Sequence, residues 1–338
     1  MNDPVLVEVT RGGRVESVHR GALAVVDADG SVIAKLGDIA RPVFPRSSVK
    51  AIQALVMMES GAADRFDMTD AEIALACASH NGEPRHAETA AHMLKKAGRK
   101  PTCLECGAHW PLREATAREL ARAGKEPSAL HNNCSGKHAG FVCAAVAMEE
   151  DVEGYVMADH PLQREVTAAL ETAFGVMLGP DVRGVDGCSI PTYAVPLSVL
   201  AGGFARFGVG LGFQPVRARA ARRIRTAVAV EPFMIAGTGR FDTTITEALR
   251  ERAFLKMGAE GVFCAALPEK GLGIALKIDD GGNRAAEIVM AGVLKAFLDL
   301  NDTERAAVDA ALHPVMSNWN RIEVGTLRPA DALVGLKG

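Results

Sequence analysis

The sequence predicts a mixed α/β fold, of the α+β kind, with one mainly antiparallel sheet formed by both chain ends and helices packed on it. Three observations lead there. Strand patterns open the chain, helical periodicity takes over from Ser47, and strand patterns return around 254–279.

Taken in order, "VLVEVTRGG" and "ALAVVDADGSVIAKLGD" read as strands, the second folding back through Asp29-Gly30, a dipeptide suited to the positive φ of a tight hairpin turn. From Ser47 onward, Ile52, Leu55, Val56 and Glu59 recur at helical spacing, which predicts one amphipathic helix starting at Ser47 or Ser48 and ending near Gly61. Further helices are predicted over 85–98, 113–124, 136–149 and 161–174. Gly271 and Gly273 interrupt the later strands as a hairpin would. "AAEIVMAGVLKAFLDL" then reads as an apolar helix followed by a polar tail. With no repeat, low-complexity block or long linker, residues 1–338 are expected to form a single domain with a helical subregion over about 47–200.

Composition sets the limits on function. In 338 residues, 48% apolar content is enough for a sizeable core, and a net charge of −3 gives no polyanion-binding surface. The one basic run, "RARAARRIR" from Arg217 to Arg225, carries alanines at helical spacing and reads as a solvated helix face, so no nucleic-acid partner is expected. The start, "MNDPVLVEVTRGG", has an acid and a proline where a secretory signal carries a basic and then an apolar run. No apolar stretch approaches the ~18 residues of a membrane span. A cytoplasmic protein with no membrane partner is therefore expected. Its seven cysteines, an odd number, then read as reduced thiols rather than a disulfide framework.

The chemistry-bearing motifs begin with "RSSVK". Ser47-x-x-Lys50 puts both side chains on one helix face about a turn apart, where a desolvated lysine can take the proton of a serine hydroxyl. The plain alternative is an N-cap serine and a surface lysine. Two further elements, Ser79-x-Asn81 and Lys256-x-Gly258, follow in the order used by penicillin-binding proteins and serine β-lactamases. The middle residue of the third is Met257, so the hydroxyl that would bind a penicillin carboxylate is missing.

"HNNCSGKHAG" offers Cys134, His131 and His138 at spacings compatible with tetrahedral Zn²⁺, with Cys188 of "VDGCSIP" as a distant fourth ligand and Lys137 and Asp186 close in sequence. The same residues also fit a helix capped by Ser135 with Cys134 in the core. Cys103-x-x-Cys106 with His109 has a metal or redox spacing but no second pair. Cys77, Cys143 and Cys264 read as core, and His86, His92 and His160 as surface. The turn at 237–240, "GTGR", has the backbone to cradle an anion.

Together "RSSVK", "SHNGE", "NCSGKHAG", "DGCSIP", "AGTGRFDT" and "KMGAEGVF" resemble the Rhizobium etli-type L-asparaginases, the third structural class of that activity, related to serine β-lactamases, penicillin-binding proteins and glutaminases. The resemblance runs from residue 5 to beyond 290. It implies a β-lactamase-like fold, a homodimer, and hydrolysis of L-asparagine to L-aspartate and ammonia. Carried onto this chain, Ser47 is the nucleophile with Lys50 as its base, and Ser79 with Lys256 forms a second Ser-Lys tandem. A Zn²⁺ ion is implied on Cys134, Lys137 and Cys188, with water completing the tetrahedron. Arg46, His80, Glu83, His138 and Asp186 become candidates for binding substrate. Asp242 stands where the family pattern accepts Cys, which bears on affinity rather than reaction type. Two other readings follow from the same residues: a hydrolase of this fold acting on glutamine, an ester or a β-lactam, and a zinc-binding sensor or assembly protein without turnover.

Overall fold

The computed structural model describes residues 3–338. Its main sheet has eight strands: β1 (Val5–Arg11), β2 (Arg14–Asp27), β3 (Val32–Leu36), β4 (Phe254–Met257), β5 (Val262–Leu267), β6 (Leu272–Ile278), β7 (Val315–Ser317) and β8 (Glu323–Pro329). They run in the order β7-β8-β1-β2-β6-β5-β4, with β3 also on β2, and every pairing is antiparallel. The two chain ends meet in this sheet, Val9 opposite Leu327 and Leu23 opposite Leu276. The fold class predicted from the sequence is the one observed.

The predicted hairpin between β2 and β3 forms at Asp29-Gly30. Gly30 takes a φ of 96°, and the Asp27 carboxylate accepts the N–H groups of Asp29 and Ser31 at 3.0 and 2.8 Å. Gly271, at a φ of 66°, turns β5 into β6.

Between the strand groups lie α1 (Lys50–Gln53), α2 (Leu55–Glu59), α3 (Asp70–Ala76), α4 (Pro84–Lys96), α5 (Glu114–Arg122), α6 (Ser135–Ala147), α7 (Pro161–Phe174), α8 (Leu197–Val209), α9 (Pro215–Val230) and α10 (Phe241–Leu249). After β6 come α11 (Asn283–Phe297) and α12 (Asp302–Leu312).

Strand alternation divides the core into two layers, because successive side chains point to opposite faces. On one face Leu23, Val25, Phe263, Ile274 and Leu276 pack under α10, α11 and α12. On the other, Ala22, Ala24, Val26, Cys264, Ala266 and Ala275 meet the helical region. The small side chains of that second face let α8 press close to the sheet. A Cβ at Gly273 would stand 2.0 Å from the Ala201 carbonyl oxygen, so only glycine fits there.

Four expectations need correction. The helix predicted from Ser47 to Gly61 is a 3₁₀ turn at Arg46–Val49 followed by α1 and α2, interrupted at Ala54. The arginine run lies on α9, but it is not a free solvated face. Arg217 forms a two-pronged pair with Glu59, Arg223 pairs with Asp70, and Arg225 donates to the Phe207 carbonyl. His86 is fully buried, stacked between His80 and Phe233 rather than exposed. The polar tail contains α12 and the β7–β8 hairpin, and β8 is held by β1 from the far end of the chain. Among the described residues no helix is long and apolar enough to cross a membrane, and all seven cysteines are free.

Candidate active site

The tandem begins at a strained residue. Arg46 has a φ of 51°, a conformation uncommon for a residue with a side chain, and it turns the chain into the 3₁₀ segment that presents Ser47. Ser48, beside it, is buried and donates to the Pro45 carbonyl at 2.8 Å, so only Ser47 of the two serines faces outward. Lys50 follows on α1, buried to 1% exposure, and its Nζ donates to the Ala78 carbonyl and to Ser79 Oγ at 3.0 Å. The Ser-x-x-Lys lysine therefore engages the second serine in this structure.

Ser79 sits just after α3, whose start is secured by the Thr69–Glu72 capping box, and its N–H is tied to the Ile235 carbonyl at 3.0 Å. From the opposite wall, β4 brings Lys256, whose Nζ donates to Ser79 Oγ at 2.9 Å and to the Met257 carbonyl at 2.7 Å. Ser79 Oγ thus accepts from two amines, which occupies its lone pairs and leaves its own O–H to donate elsewhere. Both amines cannot easily stay charged here. Burial pushes the Lys256 amine down to about 7, and the nearby Lys50 and Arg240 charges add to the fall while Asp242 opposes it.

Ser47 and Ser79 open together onto a cavity of about 160 Å³. Its walls include Leu112, Asn133, Arg240 and Asn283, with the Met257-Gly258-Ala259 backbone along one side. Gly258 belongs to the Lys-x-Gly element for a steric reason: a Cβ there would stand 2.8 Å from the Pro45 oxygen, just before the serine turn. Ala259 lines the cavity, and among the described residues its N–H has no hydrogen-bond partner.

None of the five candidate substrate-binding residues lines that cavity. Arg46 pairs with Asp186, which also stands near Lys137. His80 is fully buried, with Nε2 on Ser135 Oγ at 2.9 Å and Nδ1 accepting the Gly82 N–H at 3.0 Å. His138 is buried too, its Nδ1 against the Tyr155 hydroxyl at 2.7 Å. The anion cradled by the "GTGR" turn is internal. Glu83 accepts both the N–H and the hydroxyl of Thr238 at 2.8 Å, and Arg113 approaches the same carboxylate at 3.4 Å.

A family model described as L-asparaginase II matches residues 7–329, almost the whole chain. The chain belongs to this family. No curated protein matches it. Among solved structures it is similar to simvastatin synthase from Aspergillus terreus, at 12% identity and a TM-score of 0.40, with 76% of this chain and 86% of that one covered. It is also similar to a β-lactamase from Mycobacterium bovis, at 16% identity and a TM-score of 0.38, covering 86% and 93%. Membership rests on the family model, and it makes the protein an L-asparaginase-type amidohydrolase.

Beside the cavity this L-asparaginase II chain gathers a second cluster. Cys134 caps α6, Lys137 lies one turn on, and Cys188 comes from the loop between Asp186 and Ile190; all three are buried. Lys137 Nζ donates to Cys188 Sγ at 3.0 Å. The hydrogen bond from Cys188 holds the Cys134 thiol well below its ordinary range against the effect of burial, and Lys50 and Lys137 add to this. The same bond, with burial, pushes Cys188 up. Burial opposes charge on Lys137, but Cys188, Cys134 and Asp186 together keep it protonated. Cys134 Sγ also donates to Asn133 Oδ1 at 3.3 Å, and two buried sulfurs with an amine beside them are a donor set that a soft divalent ion fits, since the ion takes the place of their protons.

The alternative of Cys134 with His131 and His138 is not formed. Among the described residues no three His, Cys, Asp or Glu side chains converge to hold a metal. His131 turns to Ser128, whose N–H its Nδ1 accepts at 3.0 Å, and His138 to Tyr155. The asparaginase cavity also holds three polar residues that the sequence did not single out: Asn133, Arg240 and Asn283. Arg240 stood inside the quoted "AGTGRFDT", and a lone cation between a turn with two glycines and a helix start was its only signal.

Proposed function

We propose that the chain hydrolyses the side-chain amide of L-asparagine through an acyl-enzyme on Ser47. The observation that carries this is the placement of Ser79 Oγ between Lys50 and Lys256 on the wall of the cavity into which Ser47 opens. Ser47 Oγ attacks the amide carbon and its proton passes to the Lys50 side of the relay. The tetrahedral oxyanion needs donors near the carbon, a role this reading gives to the N–H of Ala259, a cavity-lining residue whose N–H has no partner among the described residues. The C–N bond then breaks, and the nitrogen takes a proton through the Ser79 hydroxyl, resupplied by the two lysines. Water then attacks the resulting ester and gives a proton to the relay, which passes it to Ser47 Oγ as the ester C–O bond breaks and L-aspartate leaves.

In this reading Cys134, Lys137 and Cys188 would hold a Zn²⁺ ion, which would supply a fixed positive charge beside the substrate rather than a hydroxide, since a serine nucleophile needs none. Lys137 has to give up its proton to bind it. The same reading takes residues 1–338 as one catalytic domain working as a cytoplasmic homodimer, which sedimentation of the purified protein checks.

Ammonia release from L-asparagine by the wild type and by Ser47→Ala, measured side by side, tests the proposal. Turnover by the wild type alone supports it. Equal turnover by both removes Ser47 as nucleophile, and absence of turnover in both removes the asparagine reading.

A further inference from the structure

The cavity is lopsided in charge. Lys50 and Lys256 stand behind Ser79, Arg240 forms part of the wall, and no aspartate or glutamate lines it. Arg240 is held in place at the start of α10. Its Nη1 donates to Asn81 Oδ1 at 3.1 Å, and its Nη2 rests against Met257 Sδ at 3.8 Å. Asn81 is itself fixed, through its N–H on the Ala236 carbonyl at 2.9 Å and its amide on the Thr238 carbonyl at 3.1 Å. A guanidinium carries five N–H donors in a planar fork, so these two contacts leave donors free toward the cavity.

Among the described residues no carboxylate oxygen stands within hydrogen-bond distance of those donors. Asp242, two residues along, is fully buried and spends Oδ1 on the Met257 N–H at 2.8 Å. Glu287, on α11, is pushed up to about 7 by burial and then by Asp242, while the Arg240 charge pulls it back down, and it forms no ion pair with the guanidinium. An oriented arginine without an ion-pair partner in a small cavity is a site for an anion brought by the substrate.

We infer that Arg240 is the residue that holds the free carboxylate of the substrate, so that replacing it removes the preference for asparagine over asparagine whose carboxylate is capped. This rests on the asparaginase reading for its substrate, though not for the carboxylate contact itself. The cavity, about 160 Å³, has room for a group of several non-hydrogen atoms.

The test compares L-asparagine with its α-N-methylamide, a probe that loses the negative charge and releases ammonia only from the side chain. Hydrogen bonds to a charged group set the scale, so the wild type is expected to prefer L-asparagine by roughly 10- to 100-fold in kcat/KM. In Arg240→Gln that ratio falls to near one, mostly through KM for L-asparagine, and Arg240→Lys restores part of it. A ratio within one preparation does not depend on the fraction of folded enzyme. A ratio that stays at the wild-type value in Arg240→Gln overturns the inference.

Calorimetric binding of L-aspartate separates this inference from the reading beneath it. Wild type that binds L-aspartate at least 10-fold more tightly than Arg240→Gln supports the carboxylate contact even if L-asparagine is not turned over. Equal affinity, or no binding to the wild type, overturns it.

Discussion

Ser79 Oγ lies 2.9 Å from Lys256 Nζ, although the two residues are separated by most of the helical region and the strand that follows it. A hydroxyl between this amine and that of Lys50 can pass a proton in either direction without moving. It is therefore placed to relay protons for a nucleophile other than itself.

That arrangement predicts unequal losses. Ser47→Ala is expected to lower kcat by at least ~10⁴-fold, because no covalent route remains, whereas Ser79→Ala removes proton transfer alone and costs roughly 10²- to 10⁴-fold. Trapping of an acyl-enzyme with a slow substrate and mass spectrometry of the labelled peptide checks the assignment. Label on the peptide containing Ser79, in wild type and Ser47→Ala alike, would falsify it.

The pH profile follows from Lys256. With its amine held at about 7, kcat/KM rises as pH increases through that region and levels off above it, with one apparent value belonging to the coupled Lys50–Ser79–Lys256 set. The Asp242 charge favours the protonated amine. Asp242→Asn is thus expected to move the acid limb to lower pH, and a limb that stays put or moves up would remove Lys256 from the rate-controlling titration.

The same amine weakens the fold. Unfolded lysine titrates near 10.4, and folded Lys256 at about 7. Between those values the unfolded chain binds more protons, so stability rises with pH across that window. Lys256→Met removes this cost at neutral pH and is expected to raise the melting temperature while abolishing turnover. Melts at pH 7 and pH 10 check the sign: the variant's advantage shrinks at the higher pH.

Metal content tests the Cys134–Lys137–Cys188 cluster apart from activity. Purified protein is expected to carry about one zinc ion per chain, lost on treatment with a strong chelator, and Cys134→Ser and Cys188→Ser to carry none. Co²⁺ bound in its place gives a thiolate-to-metal absorption band that vanishes in either variant. Full zinc content in both variants would assign the metal to other residues.

Gly273→Ala reports on the packing of α8 against the sheet. The added methyl meets the Ala201 oxygen at 2.0 Å and the Ala205 nitrogen at 2.2 Å, both backbone atoms that cannot rotate away. A loss of about 1–3 kcal/mol, or more, is expected in urea unfolding, with no change expected at Gly98→Ala's neighbour-free but left-handed position beyond its own backbone strain.

Local patterns in the chain were sufficient for much of this. The Asp29-Gly30 hairpin, the helix at Pro161–Phe174 and the strands on either side of Gly271 depend on turn chemistry and periodicity within a few residues, and all are found near where they were expected. The motifs bearing Ser47, Lys50, Ser79 and Lys256 were legible for the same reason. Missed features depend on distant partners. Strand β8 carries weak alternation and exists because β1 offers an edge, and His86 is buried because His80 and Phe233 close over it.

By itself, then, the sequence determined the Ser-x-x-Lys, Ser-x-Asn and Lys-x-Gly motifs, the sheet drawn from both chain ends and the family resemblance, since each is written in residue type and short spacing. Only the tertiary structure decided which groups meet. It joined Lys50 to Ser79 rather than Ser47, gave Glu83 to the Thr238 turn, turned His138 toward Tyr155 and left Arg240 facing the cavity. Burial and hydrogen bonding act over a few ångströms in space, and contacts between residues of different segments, here 17 to 155 positions apart, leave no periodic trace along the chain.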